Sequence, residues 1–114
     1  MKLYMKSTCT SCRDAKAALK TAGITAEIVD YARKPLPAET VEAIVAAAGS
    51  VAAVLNTRHE TAKANGWATK PPAAKAFAKA VAAEVNLIRR PILIDGNTII
   101  VGFDKPRYAA LANR

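Results

Sequence analysis

The chain has 114 residues, 52% hydrophobic and 23% charged, which is one globular domain and excludes disorder. Lys+Arg 17 against Asp+Glu 9 leaves a net charge of +8, so anionic partners come first: nucleic acid, an acidic protein, oxyanions or a membrane surface. Aromatics at 5% argue against a base-stacking platform, and no apolar run approaches the ~20 residues that a membrane helix needs.

Residues 2–6 alternate polar and apolar and predict a short strand. Met1-Lys2 leads straight into it, without the pattern of a signal peptide. Residues 7–11 are a turn of small polar residues. Ala15, Ala18, Leu19 and Ala22 then fall on one helical face, with Ser11 as the expected cap, Asp14 three residues on and Gly23 as the stop. Ile24, Ala26 and Ile28 alternate into a second strand, completing a βαβ unit. Pro35 and Pro37 break the chain, and a helix starts near Pro37 with Val41, Ile44, Val45 and Ala48 as its buried stripe and Gly49 at its end. Ser50 caps a short helix through Val51, Val54 and Leu55. Residues 57–66 form a further helical piece. Pro71-Pro72 opens a helix whose apolar face is Phe77, Val81, Val85 and Ile88. From Pro91 the period changes to two apolar runs joined by a turn centred on Asp95-Gly96, a hairpin signal. Residues 104–113 close the chain as a helix. The expected class is α/β: a mixed four-stranded sheet, βαβ then ββα, with a helical insertion at about 37–88. This is the thioredoxin-like arrangement in a single domain over 1–114.

Cys9-Thr10-Ser11-Cys12 carries the chemistry. It follows the first strand and opens the first helix, whose unpaired N–H groups and partial positive charge lower the pKa of a thiol placed there. Cys9 is the expected nucleophile. Cys12, one turn on, can attack a mixed disulfide. The competing reading is half a zinc site, but only His59 is left to join the two cysteines, short of four ligands. No metal is expected. Arg13 adds positive charge beside the loop. Arg90-Pro91 precedes the third strand; a cis proline there would face the cysteine loop and bring Arg90 toward Cys9. Arg58, His59 and Trp67 carry no signal by spacing alone. Lys63, Lys70, Lys75 and Lys79 are not interleaved with aromatics and read as a solvated face, so direct nucleic-acid binding is not expected. Two cysteines with no signal-peptide pattern ahead of them point to a reducing, cytoplasmic setting, and the lack of a long apolar run points to no membrane attachment.

The stretches C-T-S-C-R at 9–13, L-N-T-R at 55–58, R-R-P-I-L-I at 89–94 and V-G-F at 101–103 resemble the arsenate reductase (ArsC)/Spx family of thioredoxin-fold proteins. The resemblance spans nearly the whole chain. It implies that Cys9 is the catalytic cysteine and that Arg58 and Arg90, with Arg13, bind the oxyanion. It also implies the reaction: the Cys9 thiolate attacks arsenate, a second thiol attacks the adduct, and arsenite leaves. No bound cofactor is implied; glutathione or glutaredoxin is the expected co-substrate, and a small thiol or disulfide is the other substrate class. Where the glutaredoxin-linked enzymes carry a histidine four residues before the cysteine, this chain has Met5. Where they carry a further arginine, it has Val101-Gly102-Phe103. The Cys-x-x-Cys form resembles the Spx branch. That branch implies a different reading: a redox sensor that binds the RNA polymerase α-subunit through a Cys9–Cys12 switch.

Overall fold

A computed structural model describes residues 1–111 of the chain. The elements run β1 (Lys2–Met5), α1 (Thr10–Thr21), β2 (Glu27–Asp30), α2 (Ala38–Ala48), α3 (Val51–Val54), α4 (Glu60–Ala64), α5 (Ala74–Ala83), a 3₁₀ turn (Val85–Leu87), β3 (Ile92–Asp95), β4 (Thr98–Val101) and α6 (Lys105–Leu111). Residues 112 and 113 of the expected closing helix lie outside the described residues. The four strands form one mixed sheet in the order β2-β1-β3-β4, parallel between β1 and β2 and antiparallel elsewhere. This is the expected thioredoxin-like α/β architecture.

The chain divides into two compact units. One is Met1–Lys34 with the chain from Arg90 onward; the other is Pro35–Arg89. The first holds the sheet, with α1 and α6. Its core packs Leu3, Met5, Cys12, Ala15, Leu19, Leu93, Ile100, Tyr108 and Leu111. The second is helical, built around buried Val41, Ile44, Val54, Phe77, Val81 and Leu87.

Four expectations need correction. Ser11 does not cap α1. Cys9 is the N-cap residue, and Ser11 lies inside the first turn, where its hydroxyl meets Cys9 Sγ at 3.3 Å. The second strand begins at Glu27, not Ile24, because the N–H of Ile24 closes α1. It donates to Leu19 O at 2.9 Å while the N–H of Gly23 donates to Lys20 O at 3.0 Å, a Schellman motif that needs the left-handed φ of 74° at Gly23. The helix opened by the prolines stops at Ala83. Val85 falls in the 3₁₀ turn, and Ile88 is buried in an isolated antiparallel bridge to Leu55. The hairpin loop is Gly96–Asn97, since Asp95 already pairs with Thr98. Gly96 has φ 58°, and no non-glycine among the described residues has a positive φ. That sign pattern belongs to a II′ turn rather than to the I′ turn of an Asp-Gly centre.

Other sequence signals hold. Pro37 is the N-cap of α2 and Gly49 its stop. Ser50 Oγ accepts from the N–H of Ala53 at 3.3 Å. His59 ends up at a helix start, its Nδ1 accepting from the N–H of Thr61 at 3.1 Å.

Candidate functional site

β1 delivers the chain to a tight turn in which the N–H of Cys9 donates to Lys6 O at 2.9 Å. That bond holds Cys9 at the first turn of α1. Its side chain makes no hydrogen bond of standard geometry to the first-turn N–H groups. The backbone N–H of Cys12 still lies close enough to favour a charged sulfur. Cys9 is half-buried; Cys12, one turn along α1, is fully buried in the core. Arg90 and Pro91 precede β3, with the Arg90–Pro91 peptide cis as expected and Pro91 O accepting from the N–H of Gly102 at 2.8 Å.

The two thiols differ for physical reasons. Burial alone raises the pKa of Cys9. The Ser11 hydroxyl, the N–H and thiol of Cys12 and the Arg90 side chain outweigh it, and together they lower Cys9 from 9.0 to about 6. At neutral pH Cys9 is mostly thiolate. Burial pushes Cys12 up to about 12, and the neighbouring Cys9 adds to this, so Cys12 stays protonated. Arg90→Met is expected to raise the pKa of Cys9 above about 6, read from ultraviolet thiolate absorbance across a pH series. An unchanged titration would remove Arg90 from the site.

The depressed thiol also makes stability depend on pH. Between pH 6 and 9 the folded chain holds Cys9 deprotonated, whereas the unfolded chain still binds the proton. Stability from this group therefore rises with pH across that window and is lost as pH falls through 6. Denaturant unfolding of the parent and of Cys9→Ser should show the parent's relative stability growing from pH 6 to 9. A difference flat with pH would contradict the lowered value.

Cys9, Cys12 and Arg90 come together, with Pro91 adjoining. Arg13 is on the same helix but exposed, and its guanidinium reaches Thr10 Oγ1 at 3.5 Å. It is not among the groups that lower Cys9. Arg58 belongs to the helical unit, where it lines a polar groove of about 480 Å³ with Asn56, Thr57 and Arg89. Asn56 shapes this turn: its Oδ1 accepts from the N–H of Arg58 at 3.2 Å and its Nδ2 donates to Asn86 O at 3.0 Å.

Two participants were missed in the sequence. Ser11 reads as a cap, yet its place two residues after Cys9 in a helical first turn is the signal for a thiol partner. Tyr31, just past β2, is buried; burial raises its pKa, and it lies in the field of Cys12, Arg90 and Cys9. Nothing local in the sequence marks it. Among the described residues no three His, Cys, Asp or Glu side chains gather as a metal site, and no helix is long and apolar enough to cross a membrane.

The ArsC family model matches residues 4–111. Among solved structures, an arsenate reductase from Vibrio cholerae superposes with a TM-score of 0.80 at 21% identity, covering 96% of this chain and 94% of that one. A YffB protein gives 0.78 at 25% identity over 95% of each chain. An arsenate reductase-related protein from Brucella melitensis gives 0.70 at 24%, covering 96% and 93%. No curated protein matches the chain. A family match over nearly all of the sequence, on a thioredoxin-like sheet with a cysteine heading α1, places the chain in the ArsC family.

Proposed function

We propose that this chain is a thiol-dependent oxidoreductase in which the Cys9 thiolate attacks a small oxyanion, arsenate in the first instance. The observation that carries this reading is Cys9 at the start of α1, lowered to about 6 by Ser11, Cys12 and Arg90. A thiolate beside a guanidinium and first-turn N–H groups suits both nucleophilic attack and an incoming anion.

The chemistry balances as follows. The Cys9 sulfur forms a bond to As(V) and an arsenate oxygen leaves as water, its protons taken from solvent. A second thiol, glutathione, attacks the Cys9 sulfur. The sulfur–arsenic bond breaks with its electron pair going to arsenic, giving As(III), which leaves as arsenite. Two thiols are thereby oxidised to one mixed disulfide, and a further thiol, from glutathione or glutaredoxin, restores Cys9. A protonated, buried Cys12 supports an external thiol as the second attacker.

Arsenate turnover with glutathione and glutaredoxin tests the reading. Activity is expected in the parent and lost in Cys9→Ser, and Arg90→Ala is expected to raise KM for arsenate. Turnover of glutathione-linked disulfides with none of arsenate would move the substrate to that class. No turnover of either would end the enzyme reading.

The adjacency of Cys9 and Cys12 in one helical turn favours a second reading, a disulfide switch of the Spx kind. Its test is binding to the RNA polymerase α-subunit under oxidising and reducing conditions. Affinity that changes with redox state supports it, and no binding in either state removes it.

A further inference from the structure

We propose that the open edge of β2, with the groove beneath it, docks an extended peptide whose groove-facing positions, two residues apart, run acidic, apolar, acidic. β2 ends the sheet, bonded only to β1. In that parallel ladder the N–H of Glu27 donates to Met1 O, and the N–H of Tyr31 donates to Met5 O, each at 3.0 Å. Alternation then turns the N–H and C=O of Ile28 outward, to the side with no strand. An incoming strand can pair there.

The side chains add specificity. Ile28, at 37%, is the one exposed large hydrophobic among the described residues. With Leu19, Ile24 and Ala26 it lines a groove of about 350 Å³, and the rim carries Lys16 and Lys20. No acidic residue lines this groove. Glu27 points to the opposite face and pairs with Lys2 at 3.5 Å. Asp30 is committed to the N–H groups of Ser7 and Ala32 and to Arg33. Lys16 and Lys20 make no ion pair among the described residues and stand four apart on one helix face, a repulsive arrangement that a carboxylate relieves. Side chains two apart on a strand share a face, so a strand with an apolar residue beside Ile28 and acidic residues two positions to either side presents all three to the groove that holds Ile28, Lys16 and Lys20.

Charge selects this occupant over a second copy of the chain. Two copies meeting at β2 would bring Lys16 and Lys20 against their own equivalents, on a chain of net charge +8. The other edge strand, β4, has its side chains buried or half-buried and offers no such exposed residue.

The probe is a capped hexapeptide with aspartate at positions 2 and 6, leucine at position 4 and serine elsewhere, titrated into the isotope-labelled full chain and followed by amide NMR. The Ile28 amide is expected to shift and to gain protection from hydrogen exchange, with shifts at Lys16 and Lys20. Lys16→Glu with Lys20→Glu, both at exposed positions, should weaken binding by roughly tenfold or more. N-methylating the peptide's central residues should do the same with the protein untouched. Cys9→Ser should bind like the parent, which separates this site from the thiol chemistry. Undiminished affinity in the double variant overturns the proposal, as does an unprotected Ile28 amide at millimolar peptide. Edge shifts that depend on protein concentration alone would overturn it in favour of self-association.

Discussion

At neutral pH, iodoacetamide is expected to label Cys9 about a hundredfold faster than Cys12. With Cys9 at about 6 and Cys12 at about 12, the thiolate fractions at pH 7 are roughly 0.9 and 10⁻⁵. The rarer thiolate is intrinsically the better nucleophile. A Brønsted slope of ~0.4–0.5 over this gap returns about two and a half to three orders of magnitude to Cys12. The net preference is therefore on the order of 10² before burial is counted, and burial of Cys12 only widens it. A time course by mass spectrometry, resolving the two sites on the peptide that holds both, gives the ratio. Equal rates would remove Cys9 as the nucleophile and with it the proposed chemistry.

That asymmetry was partly legible in the residues. A Cys-x-x-Cys between a strand and a helix marks which thiol meets the helix N-terminus and which turns inward. The size of the effect was not legible, because it depends on Ser11 and on Arg90, which lies far along the chain. Local punctuation is legible where one residue decides it: Gly49 stops α2 and Ser50 caps α3. The sequence misleads where a local pattern competes with a distant partner. Phe77, Val81, Val85 and Ile88 keep a helical period, yet Val85 and Asn86 are weaker helix formers than the alanines before them, and Ile88 finds a strand-like partner in Leu55. Ile24 alternates like a strand residue, but its N–H is already spent on closing α1. Arg13 shows a different limit: sequence proximity to Cys9 says nothing about which way a long side chain turns.

The largest stability loss is expected from Phe77→Ala. Phe77 is the largest of the fully buried side chains and sits in α5, at the centre of the helical unit. Truncation removes its transfer free energy and leaves a cavity, together costing roughly 3–5 kcal/mol. That is a large share of the ~5–15 kcal/mol that holds an ordinary domain together. Urea unfolding should show a lower midpoint at similar slope, and a loss under about 1 kcal/mol would mean that Phe77 is not packed as described.

The sheet is assembled from the two ends of the chain. Lys2 pairs with Glu27 across a short βαβ connection, but it also pairs with Ile94, on the order of 90 residues away. Closing the longer loop costs only about 1 kcal/mol more than closing the shorter one, because the entropy grows with the logarithm of length. The excursion Pro35–Arg89 is therefore nearly free at equilibrium, and its toll falls on time instead. The β1–β3 pairing is the high-contact-order step, slow relative to helices that form among near neighbours. Shortening the excursion should speed folding more than it stabilises the sheet.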